Sequence, residues 1–302
     1  MSNRSQAALL VLGAMGLLGL IDNFMRLAAV DGGLWQYHLL RSILALAVLI
    51  PLAAVLRISL RPRNPSRVLG RTALNASAML IYFGCLGFMP IAQVVAGLFT
   101  APLWTVIFTY GLFGEKVALR QVLAVILGFA GIIVALHPAV GQTSVWTLLP
   151  VVSGAFYGLG NIVTRRWCGA EGTLTLLGAF FALLGLAGAV GLLALWVWPL
   201  PVAPGADGFI TRGWVSVSWT FGAVIVVQAL GSLLGVGLSI RAYQIAAPTF
   251  VAVFENTLLV FATIWAVILW QDWPDAFGLT GLCMIGLAGV IIAVPGRNAV
   301  PA

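Results

Sequence analysis

Ten long apolar runs, separated only by short polar or Gly/Pro breaks, constrain this chain more than any other feature. They cover residues 7–30, 36–56, 72–89, 91–113 and 119–137, then 146–164, 173–198, 214–239, 247–270 and 276–294. A helix needs about 20 predominantly apolar residues to cross the roughly 30 Å hydrocarbon layer, so ten spans take up about two-thirds of the chain. No soluble catalytic domain fits in the remainder. With 62% hydrophobic and 8% charged side chains, the composition is far from that of a soluble domain, which is about one-quarter charged. The expected fold is an all-α polytopic membrane protein with ten transmembrane helices. The run after Arg4 has the look of a secretory leader, but it continues into Asp22, Asn23 and Arg26 without a small-residue cleavage pattern, so it counts as the first span.

The net charge of +7 is scattered over the ends of these runs rather than gathered on one face, which speaks against a nucleic-acid partner. It reports topology instead. A cytoplasmic N terminus puts Arg4, Arg57, Arg61, Arg63, Arg67, Arg71, Lys116, Arg120, Arg165, Arg166, Arg241 and Arg297 inside, 12 of the 15 basic residues. Of the others, Arg26 and Arg41 fall within spans and Arg212 lies in the external loop 199–213, read as a cap or spacer. This predicts a multi-pass membrane protein with both termini cytoplasmic.

Several chemistries are excluded. No GxxxxGK[ST], HExxH or GxSxG motif occurs, and two histidines are too few for most metal sites, so neither metal nor cofactor is expected. Cys85, Cys168 and Cys283 are widely spaced in or beside apolar runs and read as packing residues. The only lysine, Lys116, lies at a span end, which rules out a retinal Schiff base.

Sliding the chain by 158 residues brings Gly128-Phe-Ala-Gly-Ile-Ile-Val-Ala135 onto Gly286-Leu-Ala-Gly-Val-Ile-Ile-Ala293 and Pro90 onto Pro248. Five spans per half is an odd number, so the second copy enters the membrane in the opposite sense. The predicted units are residues 1–138 and 146–297. The stretch Pro90-Ile-Ala-Gln-Val-Val-Ala-Gly-Leu-Phe-Thr-Ala-Pro102, then Gly114-Glu115-Lys116 and the closing Gly128-Phe-Ala-Gly131, resembles the EamA repeat of the drug/metabolite transporter superfamily. Arg41 in the second span and the two five-helix halves are similar to that family too. Where the first half has Gly-Glu-Lys, the second has Gln271-Asp272-Trp273-Pro274. Within the superfamily the chain looks most like bacterial aromatic amino-acid exporters of the YddG type. The resemblance implies export of small metabolites, amino acids above all, across the inner membrane by alternating access.

Ionised groups within spans mark pathways or partners, because the hydrocarbon core disfavours them. Glu255 lies about a third of the way along the ninth run with no basic residue within a turn, where it is suited to bind an ammonium or take up a proton. Asp22 and Arg26, four apart, form a candidate ion pair. Arg41 is assigned a gating or structural role through the family resemblance, and His38 is read as a satisfied interfacial histidine or a titrating group. Polar stripes mark candidate cavity faces: Gln93, Gly97, Thr100 and Trp104; Tyr157, Asn161 and Thr164; Gln228, Ser232, Gly235 and Ser239; Asn75, Met79 and Tyr82. From these, Tyr82, Gln93, Thr100, Trp104, Tyr157, Asn161, Gln228, Ser232 and Glu255 form the predicted substrate cavity. Pro90, Pro102 and Pro248 are candidate helix bends, and Gly154 with Gly158 and Gly231 with Gly235 are candidate close crossings.

The expected partners are a small-molecule substrate and membrane lipid, with the monomer functional and a dimer also compatible with the glycine pairs. Two functions stay open at this point. One is an exporter of amino acids or other amphipathic metabolites, with cationic drugs as the alternative substrate class. The other is a membrane-embedded enzyme or lipid-handling protein using Glu255 as acid or base, which would call for a second carboxylate at similar depth.

Overall fold

The computed structural model describes residues 3–85, 89, 91–136, 146 and 148–293; Pro90 and the side chains of Arg26 and Gln93 lie outside the described residues. The described residues form helices and connectors, with no strand. The first-half runs fold as α1 (Asn3–Asp22) with α2 (Met25–Asp31), α3 (Leu34–Val55), α4 (Pro65–Cys85), α5 (Ile91–Leu98) with α6 (Ala101–Gly111), and α7 (Leu119–Leu136). The second-half runs fold as α8 (Leu148–Cys168), α9 (Thr173–Val197), α10 (Trp219–Ile245), α11 (Pro248–Glu255) with α12 (Thr257–Trp270), and α13 (Ala276–Ala293). Among the described residues, 7 helices, counting α5–α6 and α11–α12 as one each, are long and apolar enough to cross a membrane. The chain is a polytopic helical membrane protein.

Lipid tails are as apolar as leucine, so helices in a bilayer associate through close packing and small residues rather than by expelling water. The glycines follow this logic. A Cβ at Gly131 on α7 would stand 2.7 Å from the Gly281 carbonyl oxygen of α13. At Gly158 a Cβ would lie 2.8 Å from the Ala101 carbonyl, and at Gly154 2.8 Å from that of Gly97, so α8 lies hard against α5 and α6. Gly231 and Gly235 likewise give room to Ile21 and Leu18 where α10 crosses α1. Both GxxxG pairs thus pack within the bundle. Large apolar side chains such as Trp196 and Val55 are exposed on the perimeter, where lipid covers them.

Three spans are interrupted, and at each interruption a side chain accepts the task of satisfying backbone carbonyls that the hydrocarbon interior would leave bare. Between α1 and α2, Asn23 Nδ2 donates to the Gly19 and Ala262 carbonyls at 2.7 and 3.1 Å. Between α5 and α6, the Thr100 hydroxyl donates to the Gly97 carbonyl at 2.6 Å, with Pro102 in the first turn of α6. Between α11 and α12, the Thr257 hydroxyl donates to the Phe254 carbonyl at 2.6 Å.

The two ends of the bundle are tied differently. Loop 199–213 does not stand off as a spacer: Arg212 donates to the Val30 and Gly32 carbonyls at 3.1 and 2.5 Å and to Gly205 at 2.6 Å. Leu34 N and Trp35 Nε1 donate to the loop's Phe209 and Ile210 carbonyls at 2.7 and 3.0 Å. At the opposite end, buried Glu171 accepts from the backbone N–H groups of Arg63 and Asn64 at 2.9 and 2.8 Å, and Gln244 donates to the Cys168 and Glu171 carbonyls.

Candidate functional site

The helices surround a chamber of about 160 Å³, with walls drawn from α1, α3, α4, α5, α6, α8, α9, α10, α11 and α12. Its lining is mostly apolar, with Met15, Leu18, Met79, Phe83, Phe99 and Phe180 among the wall residues, and its polar groups gather in two regions. The first lies toward the loop 199–213 end. Asp22 closes α1 there, Arg41 sits in the second turn of α3, Tyr82 in the last turn of α4, and Gln228 on α10. The Arg41 guanidinium acts electrostatically on Asp22, and the neighbouring Gln228 Nε2 donates to the Ile21 carbonyl at 2.9 Å. Arg41 itself is buried, donates to the Tyr37 hydroxyl at 3.1 Å, and stands 5.0, 5.8 and 5.7 Å from the ring centres of Tyr37, Phe83 and Phe181. Stacked near three aromatic rings, the guanidinium is placed for cation–π attraction.

The second region lies toward the other end, around the α11–α12 break. Glu255, the last residue of α11, accepts from the Tyr157 hydroxyl at 2.9 Å and from the Tyr243 hydroxyl at 2.6 Å, one bond to each carboxylate oxygen. Asn161 lies close to both tyrosine hydroxyls. Arg71 closes the region from α4: its Nε donates to Thr164 Oγ1 at 3.0 Å and its Nη1 reaches the Leu176 carbonyl at 3.5 Å. Asn75 Nδ2 folds back onto the Arg71 carbonyl at 3.1 Å, and Asn256 and Ser239 complete the polar wall.

Of the residues predicted for a cavity, the structure brings Tyr82, Tyr157, Asn161, Gln228, Ser232 and Glu255 to the chamber wall. Asp22, Arg41 and Pro102 join them. Thr100 and Trp104 do not: the Thr100 hydroxyl is consumed by the helix break, and Trp104 stacks on Phe108 at 5.3 Å. Their stripe assumed one continuous helix, and the α5–α6 interruption breaks its register. His38 is also corrected. It is fully buried rather than interfacial, packed edge-on to Phe83 and Tyr37 at 5.2 and 5.3 Å, and neither ring nitrogen has a hydrogen-bond partner among the described residues. The proposed Asp22–Arg26 pair involves a side chain outside the described residues.

Arg71 is the largest departure from the sequence reading. It was assigned to the cytoplasmic loop, yet it is buried on the chamber wall because α4 begins at Pro65, well before the apolar run. The apolar runs and polar stripes single out neither Tyr243 nor Asn256. Tyr243 lies beyond the apolar run that ends at 239 but inside α10, and the signal that would have found it is its placement on the same long helix as Gln228, Ser232 and Ser239.

Interrupted spans facing a polar chamber within a helical membrane bundle are an arrangement that many secondary transporters share. Residues 5–136 match the EamA-like transporter family. The chain is similar to a riboflavin transporter of Brucella anthropi, 23% identical over 254 residues that make up 83% of each protein. It is also similar to the pseudopaline exporter CntI of Pseudomonas aeruginosa, 21% identical over 237 residues and 78% of each. A solved crystal structure 18% identical in sequence superposes with a TM-score of 0.73 over 95% of this chain and 97% of that one, a likeness of fold. The family match covers 132 of the 302 residues, and these named relatives are a transporter and an exporter of small molecules.

Proposed function

We propose that the chain is a ten-span secondary transporter, built as two inverted five-helix repeats at residues 1–138 and 146–297, that exports amino acids from the cytoplasm by alternating access. Aromatic and other neutral amino acids are the foremost substrates, as in the YddG-type exporters. The protein works as a monomer in the inner membrane with both termini cytoplasmic.

The helix pairings support the repeat. Numbering the spans one to ten, α4 packs on α8 and α1 on α10, which are spans three with six and one with eight. The α5–α6 span packs on α8 and α12 packs on α1, which are spans four with six and nine with one. Exchanging each span for the one five places on turns either member of these pairs into the other. The pairs α3 with α9 and α7 with α13 map onto themselves. The interruptions in spans four and nine correspond as well, since α5 ends at Leu98 and α11 at Glu255, close to the 158-residue offset. Interrupted helices facing a shared chamber are the usual place for substrate and the usual pivot for rocking one half against the other.

The observation that carries the substrate reading is the chamber's mixed wall: aromatic and thioether side chains in the middle, with a carboxylate and a guanidinium toward each end. Such a wall suits a molecule with an apolar body and both signs of charge. The riboflavin transporter among the relatives raises flavins as a second reading, and the aromatic lining is compatible with a flat ring system. An uncharged flavin, however, offers no group of opposite charge to the Glu255 carboxylate or the Arg71 guanidinium in a region that disfavours ionised groups. Purified protein in liposomes loaded with unlabelled phenylalanine should draw in labelled phenylalanine by counterflow, well above protein-free vesicles. Absence of counterflow with every amino acid in a panel refutes amino-acid transport.

A further inference from the structure

The region around the α11–α12 break contains more polar capacity than the protein itself uses. Asn256 is 1% exposed, and neither its Nδ2 nor its Oδ1 has a hydrogen-bond partner among the described residues. Asn161 Nδ2 and Ser239 Oγ, both buried, are in the same condition. Buried amides and hydroxyls are nearly always bonded, so a cluster of unbonded ones on a chamber wall calls for a ligand that bonds them. These three side chains line the same chamber as the Glu255 carboxylate and the Arg71 guanidinium. Each oxygen of Glu255 takes one tyrosine hydroxyl and keeps acceptor capacity on its other lone pair. Arg71 commits Nε and, at a long 3.5 Å, Nη1, while Nη2 forms no bond among the described residues.

We propose, building on the transporter reading, that Arg71, Asn161, Glu255 and Asn256 form a clamp for the α-amino and α-carboxyl groups of an amino acid. The ammonium is received by Glu255 and the Asn256 Oδ1, beside the Tyr157 and Tyr243 hydroxyls. The carboxylate is received by Arg71 Nη2 and the Asn161 amide. The two recognition groups of the ligand are thereby fixed at one end of the chamber, and its side chain extends along Phe99, Phe180 and Met79. Because the site reads the part common to all amino acids, it discriminates by charge pattern and only weakly by side chain: one methylene more or less in an apolar pocket changes binding little. The substrate class is free zwitterionic amino acids, and neither monocations nor monoanions of the same shape qualify.

The test uses the full-length protein in liposomes, with phenylalanine counterflow and three competitors: phenylalanine, phenethylamine, which lacks the carboxylate, and 3-phenylpropionate, which lacks the ammonium. The wild type should favour phenylalanine over either analogue by on the order of 10-fold or more. Arg71→Gln should lose phenylalanine and gain phenethylamine, and Glu255→Gln should lose phenylalanine and gain 3-phenylpropionate. Those gains also show that the variants fold, and Arg71→Lys, which keeps the charge, should retain the wild-type order. A wild type that moves phenethylamine as well as phenylalanine overturns the clamp, as do two variants that weaken all three compounds alike. Transport of riboflavin with none of the three overturns the clamp and leaves the transporter standing. No flux of any of the four removes the transporter reading together with it.

Discussion

The crossing of α7 and α13 offers a stability test with its own internal control. Gly281→Ala places a methyl group 2.6 Å from the backbone nitrogen and Cβ of Ala135 and in collision with the Gly131 carbonyl oxygen. That is about 0.8 Å inside the 3.4 Å at which ordinary contact begins, and the obstructing atoms are mainly backbone, so relief requires the two helices to part. Overpacking of this kind costs about 1–3 kcal/mol. On the same helix, Gly286 has nothing within 4 Å of its built Cβ, so Gly286→Ala meets no obstacle and gains about 0.5–1 kcal/mol of helix preference. The two single-methyl variants should therefore differ by about 1.5–4 kcal/mol in opposite directions, since one pays a clash and the other does not. Thermal unfolding in detergent, followed by fluorescence-detected gel filtration, should place Gly281→Ala below and Gly286→Ala at or above the wild type. Equal melting of the two variants refutes the crossing.

Further expectations concern the external cap and the topology. Arg212→Ala removes the donor shared by Val30, Gly32 and Gly205, and Arg212→Lys cannot reproduce its fork; both should speed proteolysis of loop 199–213 in intact spheroplasts, and an unchanged rate removes the cap's role. In a background with Cys85, Cys168 and Cys283 replaced by alanine, single cysteines introduced by Ser2→Cys and Asn298→Cys should resist a membrane-impermeant maleimide in whole cells. Labelling of only one of them contradicts two five-helix halves.

How much of this was readable beforehand depends on which side of a helix a residue faces. The apolar run at 173–198 and α9, Thr173–Val197, nearly coincide because that helix is apolar all round. Where a helix turns a polar face to the chamber, hydropathy stops early. The run at 72–89 omits the first turns of α4, and the run ending at 239 omits the last of α10, and these omitted turns carry Arg71 and Tyr243. Glu255 was legible because an isolated carboxylate in an apolar run stands out, whereas the two tyrosines that hold it come from other helices and left no local trace. The stripe on the fourth span was misread for a related reason. Periodicity presumes an unbroken helix, and the interruption at Thr100 turned Trp104 away from the chamber. The 158-residue offset aligns Gly128 and Gly131 with Gly286 and Gly289, yet α7 meets α13 at Gly281, so the aligned positions do not serve the same contact.

The position of Glu255 at the joint between α11 and α12 has a mechanical corollary. An acid mounted mid-helix can change partners without disturbing the rod that bears it, but an acid mounted on the elbow cannot. Its bonds to Tyr157 of α8 and Tyr243 of α10 brace three helices at one point. If the proposed clamp holds, a cation that draws the carboxylate away from either hydroxyl slackens that brace at the place where α11 gives way to α12, so ligand and bend answer to the same pair of oxygen atoms.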